Sequence, residues 1–373
     1  MSNNSNDYLS AVTNMKEDFV SYIIMAFIFV ILIIIVAYII YIRRLENSEC
    51  DYINTLYPSL NGNIRSLCAN DSDCSGNLFD YYIKTAYNAC SGGSYKNDFV
   101  DICNLKAVIK QGVRGLDFEI YSIDDNPVVA TSTTDDYYVK ETFNYVSFAD
   151  VMSTIKSYAF AGGSAPNPTD PIIIHLRIKS NNQTMYSNLA NIFKSYDTEM
   201  LGKDYSYEGF GKNLGLQPIL SFQNKIILVV DRINNSYLEN QDFLEYVNLT
   251  SNSIFMRAYS FYDVKNNPDI NELTDYNRRG MTIVLPDAGI NPVNPSGFLC
   301  RESGCQMIAM RYQYVDNFLI ENTMFFDRCS YAFCLKPARL RYQVVTIPDP
   351  IPQNPEYSYA TRNTSTDYYS FNV

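Results

Sequence analysis

Three features of the 373-residue sequence predict an α/β fold, a (β/α)8 TIM-type barrel preceded by one N-terminal transmembrane helix. The 23 residues from Val20 to Ile42 are apolar and carry no charge. Between Tyr82 and Leu335, eight short β-type runs alternate with helix-like stretches, and eight such runs over roughly 255 residues is the arithmetic of this barrel. From Val345 the composition turns to proline and then to Tyr, Ser, Thr and Asn, which cannot form a core. The expected organisation is a short polar N-terminus (1–19), a transmembrane helix (20–42), a linker and lead-in (43–80), the barrel (81–345) and an extended tail (346–373).

At 1.5 Å per residue the apolar run makes a helix of about 34 Å, enough to cross a hydrocarbon core of about 30 Å with some tilt. A cleaved signal peptide fits poorly, because the run is too long and Glu17 and Asp18 precede it. The region after it, with its Asn, Ser and Cys content, reads as a flexible joint. The β runs fall at 83–86, 115–121, 127–130, 171–176, 225–230, 253–258, 306–312 and 331–335. Between them lie helix signals such as SFADVMSTIKSY, where Phe148, Val151, Met152, Ile155 and Tyr158 recur at helical spacing behind Ser147.

Composition narrows the function. A net charge of −11 gives no general attraction to nucleic acid or to anionic lipid heads, so no nucleic-acid partner is expected. His175 is the single histidine, which excludes a histidine pair or a multi-histidine metal site. Nine cysteines all follow the apolar run, and Cys68 with Cys74, Cys300 with Cys305 and Cys329 with Cys334 form close pairs suited to disulfides in an oxidising compartment. Arg43 and Arg44 point the other way. By the positive-inside rule they place the barrel on the cytoplasmic or virion-facing side.

Two stretches resemble the catalytic barrel of the phosphoinositide-specific phospholipases C, with its X and Y halves. GCQMIAMRYQ, followed after a spacer by YAFCLKPARLR, is similar to that family's seventh and eighth strands. GVRGLDFEIY is similar to its second strand with paired acids, and PIIIHL and NKIILVVD follow in the family's order. The resemblance covers roughly Tyr82 to Arg341 and implies a phospholipase C-like phosphodiesterase barrel.

It also implies where chemistry would sit. Tyr87 and Thr131 occupy the positions of the family's two histidines, and neither hydroxyl titrates in the range that proton transfer requires. Asn88, Asp117 and Glu119 stand at three calcium-binding positions, while Arg177 replaces the fourth, a carboxylate. An ion pair of Arg177 with Asp117 or Glu119 is favoured over a weakened divalent site, so no cofactor is expected and calcium is the one ion the retained positions could hold. Val229 and Asp231 replace two phosphate-binding lysines, Ile283 and Leu285 replace an Arg and a Tyr ahead of Pro286, and Ser260 alone matches a substrate serine. His175 is expected to play a structural role in the core or the mouth.

These residues together predict a membrane-anchored barrel that has lost the catalytic histidine pair and acts as a structural or binding module. The alternative is a phosphoric diester hydrolase with a rearranged site using Asp117, Glu119 and Tyr87. A bias towards Asn, Ile and Tyr without Trp fits an AT-rich genome, and a lone barrel points to a large DNA virus or a protist. In the viral case the expected partners are a capsid layer or other proteins of the virion membrane.

Overall fold

Runs such as IIIHLRI and IILVVD are apolar on nearly every residue, so they need cover on both faces, as strands of a parallel sheet have. In the computed structural model they are central staves of a barrel. It describes residues 3–134, 138–206, 213–343, 349–352, 354, 357 and 359–373, side chains of 3–18, 46 and 203 excepted. The staves are β1 (Tyr81–Ala86), β2 (Gly115–Ile123), β5 (Ile172–Ile178), β6 (Ile226–Asp231), β7 (Leu249–Ser251), β8 (Met256–Ser260), β9 (Met281–Leu285) and β10 (Met307–Met310). They pair in parallel in the order β7-β6-β5-β2-β1-β10-β9-β8. No ladder joins β7 to β8 among the described residues, so the barrel is nearly closed.

Side chains alternate across each stave. Ile83, Ile173, Ile227, Met281, Ile283 and Met307 pack inside, while Leu116, Phe118, Ile174, Leu176, Leu228 and Ile308 pack outward in the cluster that the helices share. Those helices include α2 (Ile102–Lys110), α3 (Phe148–Thr154), α4 (Gln183–Lys194), α7 (Ile270–Asn277), α8 (Gly297–Glu302) and α9 (Asn317–Cys329). Ser147 caps α3 by accepting from the Ala149 amide. Gly115 permits the close approach of β2 to β1, because a Cβ there would collide with Thr85 Oγ1.

Six of the eight expected runs are staves. The run at 127–130 is instead β3 (Asn126–Ala130), which folds back antiparallel on β2 as a hairpin and pairs with β4 (Val146–Ser147). The run at 331–335 contributes β11 (Phe333–Leu335), antiparallel to β1. Their places as staves belong to β7 and β9.

The expected flexible joint after residue 42 is absent: α1 (Asn3–Leu56) is one helix that includes the expected polar N-terminus from Asn3 onward. Its stretch from Phe19 is long and apolar enough to cross a membrane. Ile53 is buried, and a Cys50–Cys103 disulfide ties α1 to α2. Of the expected pairs, Cys329–Cys334 is bonded, whereas Cys68, Cys74, Cys300 and Cys305 are free thiols. Spacing missed Cys103 as the partner of Cys50 because 53 residues separate them. Tyr342–Val373 form a separate unit. In it β12 (Asn363–Ser365) and β13 (Ser370–Asn372) pair as a hairpin where an extended tail was expected, and Pro348 and Pro355 lie outside the described residues.

Candidate functional site at the barrel mouth

Strand periodicity assembles the site. Asp117 and Glu119 lie two residues apart on β2, and His175 and Arg177 lie two apart on β5, with Asp117 opposite His175 and Glu119 opposite Arg177. Asn88 follows β1 in a left-handed conformation (φ 43°), which Asn tolerates better than most residues. All five side chains are buried.

Arg177 fills the centre. Its Nη2 donates to Asp117 Oδ2 at 2.8 Å and to Asn88 Oδ1 at 3.0 Å, its Nε to Asp117 Oδ1 at 3.1 Å, and its Nη1 to Glu119 Oε1 at 2.9 Å. The guanidinium also lies 4.7 Å from the centre of the Tyr87 ring. Asp117 further accepts from His175 Nδ1 at 2.7 Å and from the Asn88 amide at 3.2 Å. Glu119 accepts from Asn88 Nδ2 (3.2 Å), Tyr121 Oη (2.6 Å), the Ser132 amide (3.0 Å) and Ser132 Oγ (3.2 Å). Every carboxylate oxygen therefore has at least two donors. Burial alone would raise the Asp117 carboxyl, but Arg177 and His175 outweigh it and hold it below the ordinary carboxylate range.

This arrangement does not fit calcium. The ion takes six to eight oxygen ligands, and here the oxygens that would face it are occupied by a fixed cation. The two proton-transfer positions fare no better. Burial pushes the Tyr87 phenol well above its usual value, and Thr131 Oγ1 donates to the Tyr95 carbonyl at 3.1 Å.

His175 faces inward with Arg177, as i, i+2 spacing requires. Its Nε2 lies 2.9 Å from Ser251 Oγ, completing an Asp117–His175–Ser251 chain. Such a chain activates a hydroxyl when substrate can reach it. Here all three members are 0% exposed, so it is a network of the core.

The remaining expected positions are engaged within the fold. Val229 and Ile283 pack in the barrel interior, and Leu285 closes its rim. Asp231 accepts from the Ile233 amide at 2.8 Å and Asn252 Nδ2 at 3.0 Å. Ser260 is the N-cap of α6 (Phe261–Lys265), its hydroxyl engaged with Asp263. Among the described residues, two cavities reach the mouth. One of about 20 Å³ touches Arg177, Lys179, Asp231 and Asn234, and one of about 10 Å³ touches Tyr87, Tyr95, Glu119 and Ser132. Each has room for about one water, far below the roughly 300 Å³ of a ligand pocket.

Sequence reasoning missed Tyr121, Ser132 and Ser251. Tyr121 was within reach, since it continues the i, i+2 series of Asp117 and Glu119. Ser251 sits on a three-residue strand too short to show any period.

Comparison with known proteins agrees with this fold. The fold is that of the phospholipase C-like phosphodiesterase barrels. Residues 74–232 match the family model of the phosphatidylinositol-specific phospholipase C X domain. Among solved structures it is similar to PLC21 of S. officinalis (17% identity, TM-score 0.57) and PLC21 of L. pealei (17% identity, TM-score 0.58). Each match covers 74% of this chain and 39% of the other, so the chain spans well under half the length of these relatives. Comparison with curated proteins finds no match.

Proposed function

We propose that this protein is a membrane-anchored phospholipase C-like barrel that has lost phosphodiester cleavage and serves as a structural or binding module. The observation that carries this reading is Arg177, whose guanidinium occupies the space between Asn88, Asp117 and Glu119 and saturates both carboxylates. Three supports stand beside it. Tyr87 and Thr131 offer no group that titrates near neutral pH, Asp231 puts a negative charge where the family resemblance expects a phosphate-binding cation, and the mouth cavities among the described residues are too small for an inositol phosphate. On this reading the anchor is α1, and the partners are other proteins of the same membrane or, for a virion protein, of a capsid layer beside it.

The test is a thermal or denaturant melt with and without excess calcium, run beside a turnover assay on phosphatidylinositol and its bisphosphate. A ligand at 100 times its dissociation constant contributes about 2.7 kcal/mol, so calcium binding would be plain in the melt. The expected outcome is no calcium-dependent shift and no turnover. A calcium-dependent rise, with turnover that Asp117→Asn abolishes, would overturn the proposal and establish the rearranged phosphodiesterase.

A further inference from the structure

We infer that the barrel stands on the luminal or exterior side of the membrane that α1 crosses and carries an N-linked glycan on Asn70, with a second acceptor at Asn363. The inference relies on the anchor reading above and adds to it a side of the membrane and a modification site.

Asn-X-Ser/Thr acceptor patterns begin at Asn3, before the apolar run, and at Asn70, Asn182, Asn234, Asn248 and Asn363 after it. Such a short pattern recurs by chance in an Asn-rich chain, so the folded surroundings of each amide must discriminate. Transfer joins Asn Nδ2 to the anomeric carbon of an oligosaccharide as that carbon's bond to a polyisoprenyl diphosphate breaks. The diphosphate leaves, one amide proton is released, and nothing is oxidised or reduced. The acceptor nitrogen must therefore be reachable and free to give up an N–H.

Three of the patterns after the run fail this requirement. Asn182 Nδ2 donates to Ser122 Oγ at 3.1 Å and to Asp125 Oδ1 at 2.6 Å. Asn234 is buried, and its Nδ2 donates to the Ile178 carbonyl at 3.1 Å and the Ser180 carbonyl at 2.8 Å. Asn248 is buried as well, its Nδ2 donating to the Tyr205 carbonyl at 3.0 Å while its Oδ1 accepts from the Leu228 amide at 2.8 Å. A sugar on any of these would displace bonds that the fold uses.

Asn70 meets both conditions. It is exposed in a turn closed by the Asp71 amide on the Cys68 carbonyl at 3.1 Å, and Ser72, which completes the pattern, is exposed too. Its Nδ2 has no hydrogen-bond partner among the described residues. Neighbouring contacts fix the turn at the barrel base: the Leu67 amide donates to Asp170 Oδ1 and Tyr331 Oη to Asp71 Oδ2, each at 2.7 Å. A glycan there covers the base and leaves the mouth open. In the separate C-terminal unit, Asn363 and Ser365 on β12 are exposed. Asn363 Oδ1 accepts from Ser370 Oγ at 3.1 Å, and its Nδ2 has no partner among the described residues.

The side of the membrane follows from the disulfides. Cys50–Cys103 and Cys329–Cys334 both lie beyond the apolar run, and such bonds persist in oxidising compartments, the same side on which N-glycans are added. Against them stands a basic excess of one residue, Arg43 and Arg44 after the run against Lys16 before it. Two bonds that the cytosol would reduce outweigh that margin.

The full chain is expressed in eukaryotic cells, its membranes are washed with carbonate, and its electrophoretic mobility is compared before and after digestion with peptide-N-glycosidase. Mass spectrometry of the digested chain reads which asparagines had been modified. Expected is retention in the washed membranes with two mobility steps. Asn70→Gln and Ser72→Ala should each remove the same step and Asn363→Gln the other, with Asn3, Asn182, Asn234 and Asn248 unmodified. A chain that the washed membranes retain unmodified, or modified at Asn3 alone, overturns the topology and the site and leaves the anchor standing. Release of a modified chain by carbonate overturns the anchor and keeps the site, and release of an unmodified chain overturns both. Modification that Asn70→Gln leaves unchanged overturns the assignment to Asn70.

Discussion

The barrel buries an arginine at each end, and the two live in opposite circumstances. At the mouth, Arg177 makes direct ion pairs with Asp117 and Glu119 at 2.8 and 2.9 Å. At the base, Arg114 just before β2 spends its Nη2 on the Ala159 carbonyl and on Asn167, while its Nε and Nη1 have no hydrogen-bond partner among the described residues. The nearby Asp170 accepts instead from the Leu67 amide at 2.7 Å and Asn167 Nδ2 at 3.0 Å. Burial lowers Arg114 to about 10 and raises Asp170 to about 6, whereas Asp117 is held low. Desolvation opposes charge at both ends; only direct, multiply bonded contact overcomes it.

The strongest way to break this comparison is to remove each cation. Arg177→Met leaves two carboxylates buried without their counter-charge and should cost about 3–5 kcal/mol. Arg114→Met removes a cation that is itself poorly satisfied and leaves carbonyl acceptors behind, for a smaller loss of about 1–3 kcal/mol. Denaturant titrations of both variants measure the difference. Equal losses would mean that contact with carboxylates is not what separates the two ends.

The mouth cluster was partly legible in the sequence because strand alternation is a strong rule. Once β2 and β5 are adjacent, Asp117, Glu119 and Arg177 must face the same interior. The base cluster was not legible. Arg114, Asn167 and Asp170 lie in connections between elements, where no period fixes direction, and only the folded chain brings them together. The same limit explains the staves. Runs with near-continuous apolar character, such as those of β5 and β6, were found with their boundaries nearly right. The run at 127–130 is equally apolar yet turns back, because two left-handed residues, Asp124 and Asp125, form the tight β2–β3 turn. The docking of α1 escaped notice because one buried residue per turn over a short foot is a faint pattern, and because the Cys50–Cys103 bond spans 53 positions.

Acid and base titration sharpen the contrast, since the two ends should respond with opposite sign. Asp170 is raised in the folded state from an ordinary value near 3.9 to about 6. The folded protein therefore binds the extra proton between about pH 4 and 6, and stability falls as pH rises through that window, by up to about 3 kcal/mol. Asp117 is held below the ordinary range. Its contribution is fully present above the unfolded value and is lost as pH falls through the folded one. Asp170→Asn should flatten the pH 4 to 6 slope and leave the acid limb intact. If the slope persists in that variant, another group carries it and the description of the base is wrong.

The smallest expected effect concerns the inner edge of the mouth cluster. Ser251→Ala removes the hydroxyl 2.9 Å from His175 Nε2 and leaves that nitrogen buried without its partner. A lost hydrogen bond of this kind costs about 1–2 kcal/mol, measurable beside the larger loss in Arg177→Met. The two variants should also couple, because Asp117 Oδ1 receives both His175 Nδ1 and Arg177 Nε, so the double variant should depart from the sum of the singles. Additive losses would separate His175 from the cluster. Accessibility is tested on the same serine with a serine-directed fluorophosphonate: a hydroxyl at 0% exposure should remain unlabelled in the folded protein. Labelling that Ser251→Ala abolishes would mean that the mouth opens far enough to admit a reagent, and the Asp117–His175–Ser251 chain would then be a usable nucleophile rather than core packing around Arg177.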